Sequence, residues 1–155
     1  MNLRPGDKAP LFTLESDGGK KISLEDLVGK KVVLYFYPKD DTPGCTVQAC
    51  EYRDLMKRFK SKKIIVLGIS RDSLEEHKKF KKKYGLNFPL LSDADHEVHE
   101  KYGAWGEKKL YGKKMMGPFR TTVVIDEGGR ILSWAGKVAA QGNAEKTLEI
   151  LQKTP

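Results

Sequence analysis

The sequence predicts an α/β fold in which helices flank a central mixed sheet and an N-terminal β-hairpin extends it. Three observations support this prediction: two continuously apolar segments of strand length, amphipathic segments of helical period between and after them, and a late hairpin pattern around a Gly-rich turn. The chain has 155 residues and no internal repeat, low-complexity tract or linker. We therefore expect a single domain spanning residues 1–155.

The central strand is the strongest of the predicted elements. Residues 32–37 are apolar or aromatic throughout, as in a strand that is covered on both faces. Before it, the turn sequence Asp17–Lys20 predicts a hairpin, and the spacing of Ser23 and Asp26 resembles a capping box. The later elements are predicted in chain order as a helix from 46 to 60, a strand from 64 to 69, a helix from Ser73 to Gly85, a strand from 88 to 91, a helix from Asp93 or Asp95 to Gly103, a loop or ragged extension from 106 to 117, a hairpin of 121–125 with 131–134, and a helix from about 143 to 152. This order is that of a thioredoxin-like fold with additions.

The charge pattern favours a solvated surface over a polyanion-binding face. The 29 Lys and Arg residues exceed the 21 Asp and Glu residues, for a net charge of +8. The basic residues cluster at 57–63 and 78–83, where helices present their solvent faces, and acidic residues lie nearby. We therefore expect no nucleic-acid partner, although a basic nucleic-acid-binding module remains the alternative that is not an enzyme.

The apolar segments are all shorter than the ~20 residues that cross a bilayer. The first seven residues, Met1 to Asp7, lack the apolar core of a secretory signal and the acid-poor character of a transit peptide. We expect a cytoplasmic protein without a membrane partner.

The chain has two cysteines, Cys45 and Cys50, which are either inert core thiols or a redox pair. Their surroundings favour the redox pair. Thr42 suits a helix N-cap and Pro43 the first helical position, so Cys45 falls in the first turn of a helix that follows a buried strand. Unpaired amides and the positive end of the helix dipole favour an anion there, and we expect a reactive thiolate.

At these residues the sequence resembles the peroxiredoxin family. Pro38, Thr42 and Cys45 reproduce its signature of Pro, three residues, Thr, two residues and Cys, and residues 42–50 resemble the bacterioferritin comigratory protein, or PrxQ, branch. The resemblance extends to residues 8–12, 102–107 and 117–122, and so covers most of the chain.

The resemblance implies a peroxidase site. Cys45 would be the peroxidatic nucleophile, Thr42 would hydrogen-bond the peroxide and the thiolate, and Pro38 would shield the site from water. Arg120 would complete the site, because attack on a peroxide needs fixed donors for the charge that builds on the departing oxygen. Gly44 would join Thr42, Cys45 and Arg120 in binding the substrate.

The resemblance also implies a catalytic cycle. Cys50 would resolve the sulfenic acid of Cys45 as an intramolecular disulfide, and thioredoxin or a similar reductant would reduce it. Gln48 would support the site from behind. The substrates would be hydrogen peroxide and organic hydroperoxides, and we expect a monomer that needs no cofactor or metal.

The nearest rival enzyme is a thioredoxin-like dithiol–disulfide oxidoreductase. It shares the fold and a cysteine at a helix start, but it needs its cysteines in a Cys-x-x-Cys motif, whereas four residues separate Cys45 and Cys50. His96 and His99, near Asp93 and Asp95, have a spacing that suits a metal, but a solvated helix start is the preferred interpretation. The chain has no Gly-rich phosphate-binding motif after a strand, so no nucleotide cofactor is indicated.

Overall fold

A computed structural model describes residues 3–153 of the chain, with the side chain of Leu110 excepted. The strands are β1 (Thr13–Ser16), β2 (Lys21–Ser23), β3 (Val32–Phe36), β4 (Ile65–Ser70), β5 (Leu90–Ser92), β6 (Trp105–Leu110), β7 (Lys113–Pro118), β8 (Thr121–Ile125) and β9 (Ile131–Ala135). The helices are a 3-10 turn (Leu24–Leu27), α1 (Pro43–Ser61), α2 (Leu74–Tyr84), α3 (Glu97–Lys101) and α4 (Asn143–Lys153). Seven strands form a mixed sheet in the order β2-β1-β5-β4-β3-β8-β9, and β6 and β7 form a separate two-stranded sheet.

The core lies on both faces of the sheet, because all five residues of β3 are buried. Val33 and Tyr35 face a cluster that α1 and α4 cover, and the rings of Tyr35 and Tyr52 stack with centroids 4.6 Å apart. Leu34 and Phe36 face a second cluster on the opposite side. A strand that is buried on both faces needs an unbroken apolar sequence, which is what residues 32–37 supply.

Local capping rules explain the ends of α2. The Ser73 hydroxyl accepts from the Glu76 amide at 3.2 Å, and the Glu76 carboxylate accepts in return from the Ser73 amide. The helix ends at Gly85, whose φ of 62° is left-handed and suits glycine. These bonds satisfy amides and carbonyls that a helix end leaves open.

The predicted loop from 106 to 117 is wrong: this segment is largely the β6–β7 hairpin. Its turn residues, Tyr111 and Gly112, have φ values of 53° and 77°, as a two-residue hairpin turn of the primed type requires. Residues 111–116 are all exposed, so the strands lack the alternation of apolar and polar residues that signals a half-buried strand.

Two smaller expectations also need correction. Ser23 precedes a helical turn as predicted, but its side chain caps nothing there and instead bonds the Thr13 hydroxyl at 2.7 Å. The strand predicted at 88–91 is β5, which begins two residues later at Leu90.

The register of the sheet places the site. Phe36, the last residue of β3, pairs with Thr121, the first residue of the antiparallel strand β8. Residues just before β8 therefore lie beside the loop that leaves β3 and enters α1. Within residues 3–153, no helix is long and apolar enough to cross a membrane.

Candidate active site

Cys45 is the third residue of α1, and this helix directly follows the loop of residues 37–42. Thr42 is the N-cap residue with an extended backbone, Pro43 occupies the first turn, and the first helical hydrogen bond runs from the Thr46 amide to the Thr42 carbonyl at 2.8 Å. The amides of Gly44 and Cys45 precede this bond, at the positive end of a 19-residue helix. Cys45 is only 2% exposed, so the helix start shields its sulfur from bulk water.

Arg120 reaches Cys45 from the other side of the site. Its Nη2 donates to the Cys45 sulfur at 3.4 Å, and its Nη1 donates to Gln48 Oε1 at 2.6 Å. A guanidinium has only donors, so the sulfur that faces it serves as an acceptor, which suits the thiolate. A Cβ placed on Gly44 would lie 3.1 Å from Arg120 Nη2, and the absence of a side chain there leaves room for the guanidinium.

Behind Arg120, a buried polar network joins three elements. The Asn143 Oδ1 accepts from Gln48 Nε2 at 2.9 Å, from the Tyr52 hydroxyl at 2.8 Å and from the Thr122 hydroxyl at 3.0 Å. Burial raises the pKa of Tyr52, so this hydroxyl keeps its proton and can donate it.

A second buried network holds the loop before the helix. The Asp40 carboxylate accepts from the Tyr37 hydroxyl at 2.5 Å and lies 2.6 Å from His77 Nδ1, while its amide donates to Asp72 at 2.8 Å. The other ring nitrogen of His77 lies 2.9 Å from the Leu91 carbonyl. Burial works against a charged ring, but the hydrogen bond and negative charge of Asp40, with the Leu91 carbonyl, outweigh it and raise the pKa of His77.

The next loop residue, Asp41, ties the loop to the end of α2. Its φ is 57°, and its carboxylate accepts from Lys83 Nζ and from the Tyr84 hydroxyl, each at 2.8 Å. These bonds lower the pKa of Asp41. The loop that carries the site residues is thus anchored on α2 at two consecutive positions.

The outer rim of the site is cationic and aromatic. The ammonium groups of Lys108 and Lys137 lie 5.5 Å and 4.9 Å from the centroid of the Phe119 ring. Burial, and then the positive charge of Arg120, lower the pKa of Lys108. Two ammonium groups therefore lie near the aromatic ring of the residue that precedes Arg120.

The other predicted site residues, Thr42, Pro38 and Cys50, lie in the loop before α1 or on α1 itself. Thr42 is at the N-cap position, but its hydroxyl donates to the Lys39 carbonyl at 2.9 Å instead of capping the helix. Pro38 is half-buried in the loop. Cys50 is also half-buried on α1, and both cysteines are free thiols.

The histidines near α3 are not both at a solvated helix start. His99 is buried and its Nδ1 lies 2.7 Å from Asp93, whereas His96 stacks on the Trp105 ring at 4.0 Å. The preferred interpretation of this pair is therefore wrong for His99, because the carboxylate of Asp93 provides it with a buried partner.

One trio in the described part of the chain has a metal-like spacing. The ligand atoms of Asp40, Asp72 and His77 lie within 4.8 Å of one another. Both oxygens of Asp40 and both ring nitrogens of His77 already have hydrogen-bond partners in the protein. These contacts explain the cluster as a hydrogen-bond network that stabilises the loop of residues 37–42.

Comparison with known proteins identifies the family of the chain. Residues 5–133 match the model of the AhpC/TSA family. The chain belongs to the AhpC/TSA family.

Relatives in this family resemble the chain over nearly its whole length. A Coxiella burnetii protein named putative peroxiredoxin bcp is 50% identical over 148 residues, which cover 96% of this chain and 98% of that protein. Peroxiredoxin Bcp of Bacillus subtilis is 42% identical over 152 residues, covering 98% and 97%. The PrxQ-type resemblance is thereby confirmed.

Solved structures of the AhpC/TSA type confirm the thioredoxin-like fold. A mutant of Xylella fastidiosa PrxQ superposes with a TM-score of 0.92 at 33% identity, covering 98% of this chain and 97% of that chain. The Xanthomonas campestris bacterioferritin comigratory protein, which has alkyl peroxide reduction activity, superposes with a TM-score of 0.88 at 35% identity. The match covers 91% of this chain and 90% of that chain.

Sequence reasoning missed two supports of this AhpC/TSA site. Asn143 lies far along the chain from Gln48, and an Asn at the start of a helix looks like an ordinary cap. His77 and Asp40 had a usable signal: His77 precedes Phe80 by three residues on α2, so the two share a buried helix face.

Proposed function

We propose that this protein is a thiol peroxidase that reduces hydrogen peroxide and organic hydroperoxides with Cys45 as the nucleophile. The observation that carries the proposal is the 3.4 Å contact between Arg120 Nη2 and the Cys45 sulfur at the start of α1. A buried thiolate between a helix N-terminus and a guanidinium is an activated nucleophile beside a fixed cationic donor.

In the first step the Cys45 thiolate attacks one oxygen of the peroxide. The S–O bond forms, the O–O bond breaks, and the sulfur becomes a sulfenic acid while the second oxygen leaves as an alcohol or water after taking up a proton. Arg120 and the amides at the start of α1 face the negative charge that passes from sulfur to the departing oxygen. Thr42 would bind the peroxide by turning its hydroxyl away from Lys39, and Gly44 and Pro38 would shape the pocket.

In the second step Cys50, as a thiolate, attacks the sulfenic sulfur. The S–S bond forms, the S–O bond breaks, and the hydroxide leaves as water after taking up a proton. The two cysteines together have then supplied two electrons to the peroxide. A dithiol reductant of the thioredoxin type then reduces the disulfide. The described alkyl peroxide activity of the Xanthomonas relative supports including organic hydroperoxides among the substrates.

Variants of the two cysteines test this proposal. Cys45→Ser removes the bond-forming sulfur, so peroxide consumption is expected to fall to background. Cys50→Ser keeps that sulfur, so it consumes about one equivalent of peroxide to reach the sulfenic acid, or about two where the sulfur is over-oxidised to the sulfinic acid, and it does not turn over with thioredoxin.

Stopped-flow fluorescence with hydrogen peroxide and cumene hydroperoxide, followed by mass spectrometry, measures both steps. Substantial peroxide consumption by Cys45→Ser would exclude Cys45 as the nucleophile. Full thioredoxin-driven turnover of Cys50→Ser would assign the resolving step to another group.

We further propose that the protein acts as a monomeric, single-domain enzyme in the cytoplasm, without a nucleic-acid partner. A seven-stranded sheet with a core on each face supports the single domain. The exposure of most helical lysines supports a solvated surface. Light scattering at several concentrations tests the monomer, and a salt-dependent gel shift with random DNA tests the absence of nucleic-acid binding.

A further inference from the structure

Asn143 joins the three elements that surround the back of the site. It is the first residue of α4 and is 6% exposed. Its Oδ1 atom is the shared acceptor for Gln48 and Tyr52 on α1 and for Thr122 on β8. A carbonyl oxygen has two lone pairs, so three donors exceed one donor per lone pair and leave no acceptor capacity unused.

The orientation of the network follows from Arg120. A guanidinium can only donate, so the end of the Gln48 amide that faces it, 2.6 Å away, is the oxygen. The other end of that amide is therefore the NH2 group, which also only donates, and it faces Asn143 at 2.9 Å. The Asn143 atom that receives it must be the oxygen.

These contacts form a hydrogen-bond chain with one direction. Arg120 donates to the Gln48 oxygen, and the Gln48 NH2 group donates to the Asn143 oxygen, where the chain ends. The other terminal nitrogen of Arg120 donates to the Cys45 sulfur at 3.4 Å. If Gln48 turned over, its NH2 group would face the Arg120 donors and the contact would become repulsive. An acceptor at position 143 therefore favours the amide orientation that Arg120 needs.

We infer that Asn143 is a positioning residue for the peroxidatic step: by accepting from Gln48, it holds Arg120 in place against the Cys45 thiolate. The inference rests on the proposed function and extends it to a residue outside the helix start and its guanidinium. Asn143 does not touch the sulfur, and its effect on Cys45 passes through Gln48 and Arg120.

Asn143→Leu tests the inference, because leucine has a similar size and no acceptor. We expect the second-order rate of peroxide attack to fall about tenfold or more, since displacing a catalytic group by ~1 Å can cost about 10²-fold. Asn143→Asp keeps the acceptor oxygens and is expected to stay within about threefold of the parent rate, the rescue that a positioning role requires. Asn143→Ala replaces Asn143→Leu if the leucine variant does not fold.

Thr147→Val is the matched control. Thr147 is also buried on α4. Its hydroxyl donates to the main-chain carbonyl of Asn143 at 2.8 Å and lies 3.1 Å from the Tyr52 hydroxyl, but within the described residues it has no hydrogen bond to the Asn143 side chain or to Gln48. A loss of stability in urea is expected for both Asn143→Leu and Thr147→Val, whereas only Asn143→Leu is expected to slow the attack. Equal attack rates in Asn143→Leu and the parent would overturn the inference, as would equal slowing in Asn143→Asp and Asn143→Leu.

A double-mutant cycle tests the route through Gln48. Gln48→Glu keeps an acceptor for Arg120 but loses the donor to Asn143, so adding Asn143→Leu to it is expected to change the attack rate by less than about twofold. If the two substitutions instead multiply their separate effects, Asn143 does not act through Gln48.

A second measurement does not depend on peroxidase activity. In a Cys50→Ser background, the rate of Cys45 alkylation by iodoacetamide follows the thiolate fraction from pH 4 to 9. We expect the Asn143→Leu profile to move to higher pH and the Thr147→Val profile to stay in place. An unmoved Asn143→Leu profile would overturn the inference, whereas a protein that shows this shift but consumes no peroxide would refute only the proposed function.

Discussion

At the scale of single residues, the site depends on a close approach between backbone and guanidinium. Arg120 is adjacent to Gly44, whose missing side chain leaves the space that Nη2 occupies at the start of α1. The type of residue 44 therefore matters because of the distance to Arg120. Its own backbone has no left-handed φ that would require glycine.

Gly44→Ala is expected to slow peroxide attack. The added Cβ would lie 3.1 Å from Nη2, so the guanidinium would have to shift by a few tenths of an ångström from its position against the sulfur. The expected loss is roughly tenfold, which is smaller than the ~10²-fold expected for Arg120→Ala, the usual scale for removing one donor to a transition-state charge. Stopped-flow rates at pH 7 measure both variants.

Gly18→Ala is the control, because a Cβ at Gly18 meets nothing within 4 Å. It is expected to react at the parent rate. A parent-like rate for Gly44→Ala would show that Arg120 tolerates the displacement, and a parent-like rate for Arg120→Ala would remove Arg120 from the reaction.

Much of this residue-scale picture was accessible from the sequence. Thr42 and Pro43 predict a helix start that places the Cys45 thiol in the first turn, because capping preferences act over a few residues. The resemblance pointed to Arg120, but no local rule places a residue 75 positions away at 3.4 Å from the sulfur. Asn143 was missed for the same reason, since its partners are distant in sequence. The spacing of His77 from Phe80 could have indicated the burial of His77, but not its contact with the distant Asp40.

At the scale of elements, α1 has to do two incompatible things. Its intact helix holds Cys45 against Arg120, but Cys45 and Cys50 are five positions apart on it, which puts their Cα atoms roughly 8–9 Å apart. A disulfide needs a Cα separation below about 7 Å. We therefore predict that the first turns of α1 rearrange during each cycle of the proposed reaction.

We expect the amides from Thr46 to Tyr52 to exchange hydrogen at least about tenfold faster in the oxidised protein than in the reduced one. Unwinding breaks the bonds of Gln48 and Tyr52 to Asn143, so protection that depends on those bonds is lost. Hydrogen-exchange mass spectrometry of the two redox states measures the change. Helix α2, which lies outside the rearranged segment, is the internal control, and equal protection of residues 46–52 in both states would show that α1 stays folded.

The separate β6–β7 hairpin shows what an element can hide from sequence reasoning. The first four residues of β7, residues 113–116, are all exposed, so no buried face imposes an alternation of apolar and polar residues there. Only Tyr111 and Gly112, with positive φ values at the turn, mark it as a hairpin. A Tyr at the first turn position is a much weaker signal than Asn or Asp.

At the scale of the whole molecule, the buried Asp40–His77 contact links the folding stability to pH. His77 lies between Asp40 and the Leu91 carbonyl, with Asp72 and Tyr37 also close to Asp40. The folded protein raises the pKa of His77 above its usual value of 6.5, so it binds a proton more tightly than the unfolded chain does.

The raised pKa of His77 sets the direction in which stability changes with pH. The stabilisation from His77 is fully present below about pH 6.5 and is lost as the pH rises through the raised, folded-state pKa. Urea unfolding between pH 6 and 9 is expected to show this decline in the parent protein. Burial raises the pKa of Tyr37 well above 10, so Tyr37 does not titrate in this window.

His77→Gln keeps a side chain of similar reach but cannot titrate. Its free energy of unfolding is expected to be lower than the parent's at pH 6 and to decline less between pH 6 and pH 9. His96→Gln, at a more exposed position, is the control and is expected to keep the parent's slope. A His77→Gln variant with the parent's pH dependence would assign the decline to other groups.

The sequence by itself determined the elements that short-range chemistry specifies. The apolar run at 32–37 became the central strand, Ser73 and Gly85 bounded α2, and Thr42 with Pro43 placed Cys45 at a helix start. Each of these signals acts between neighbours or within one turn of helix, where residue type alone sets the energy.

Only the tertiary structure decided which distant groups meet that sulfur. The pairing of Phe36 with Thr121 brings Arg120 to the helix start, and the packing of α4 against α1 brings Asn143 to Gln48. These contacts depend on the register of the sheet and on the burial of both of its faces. Register and burial arise from the summed packing of the whole core, so no short stretch of sequence encodes them.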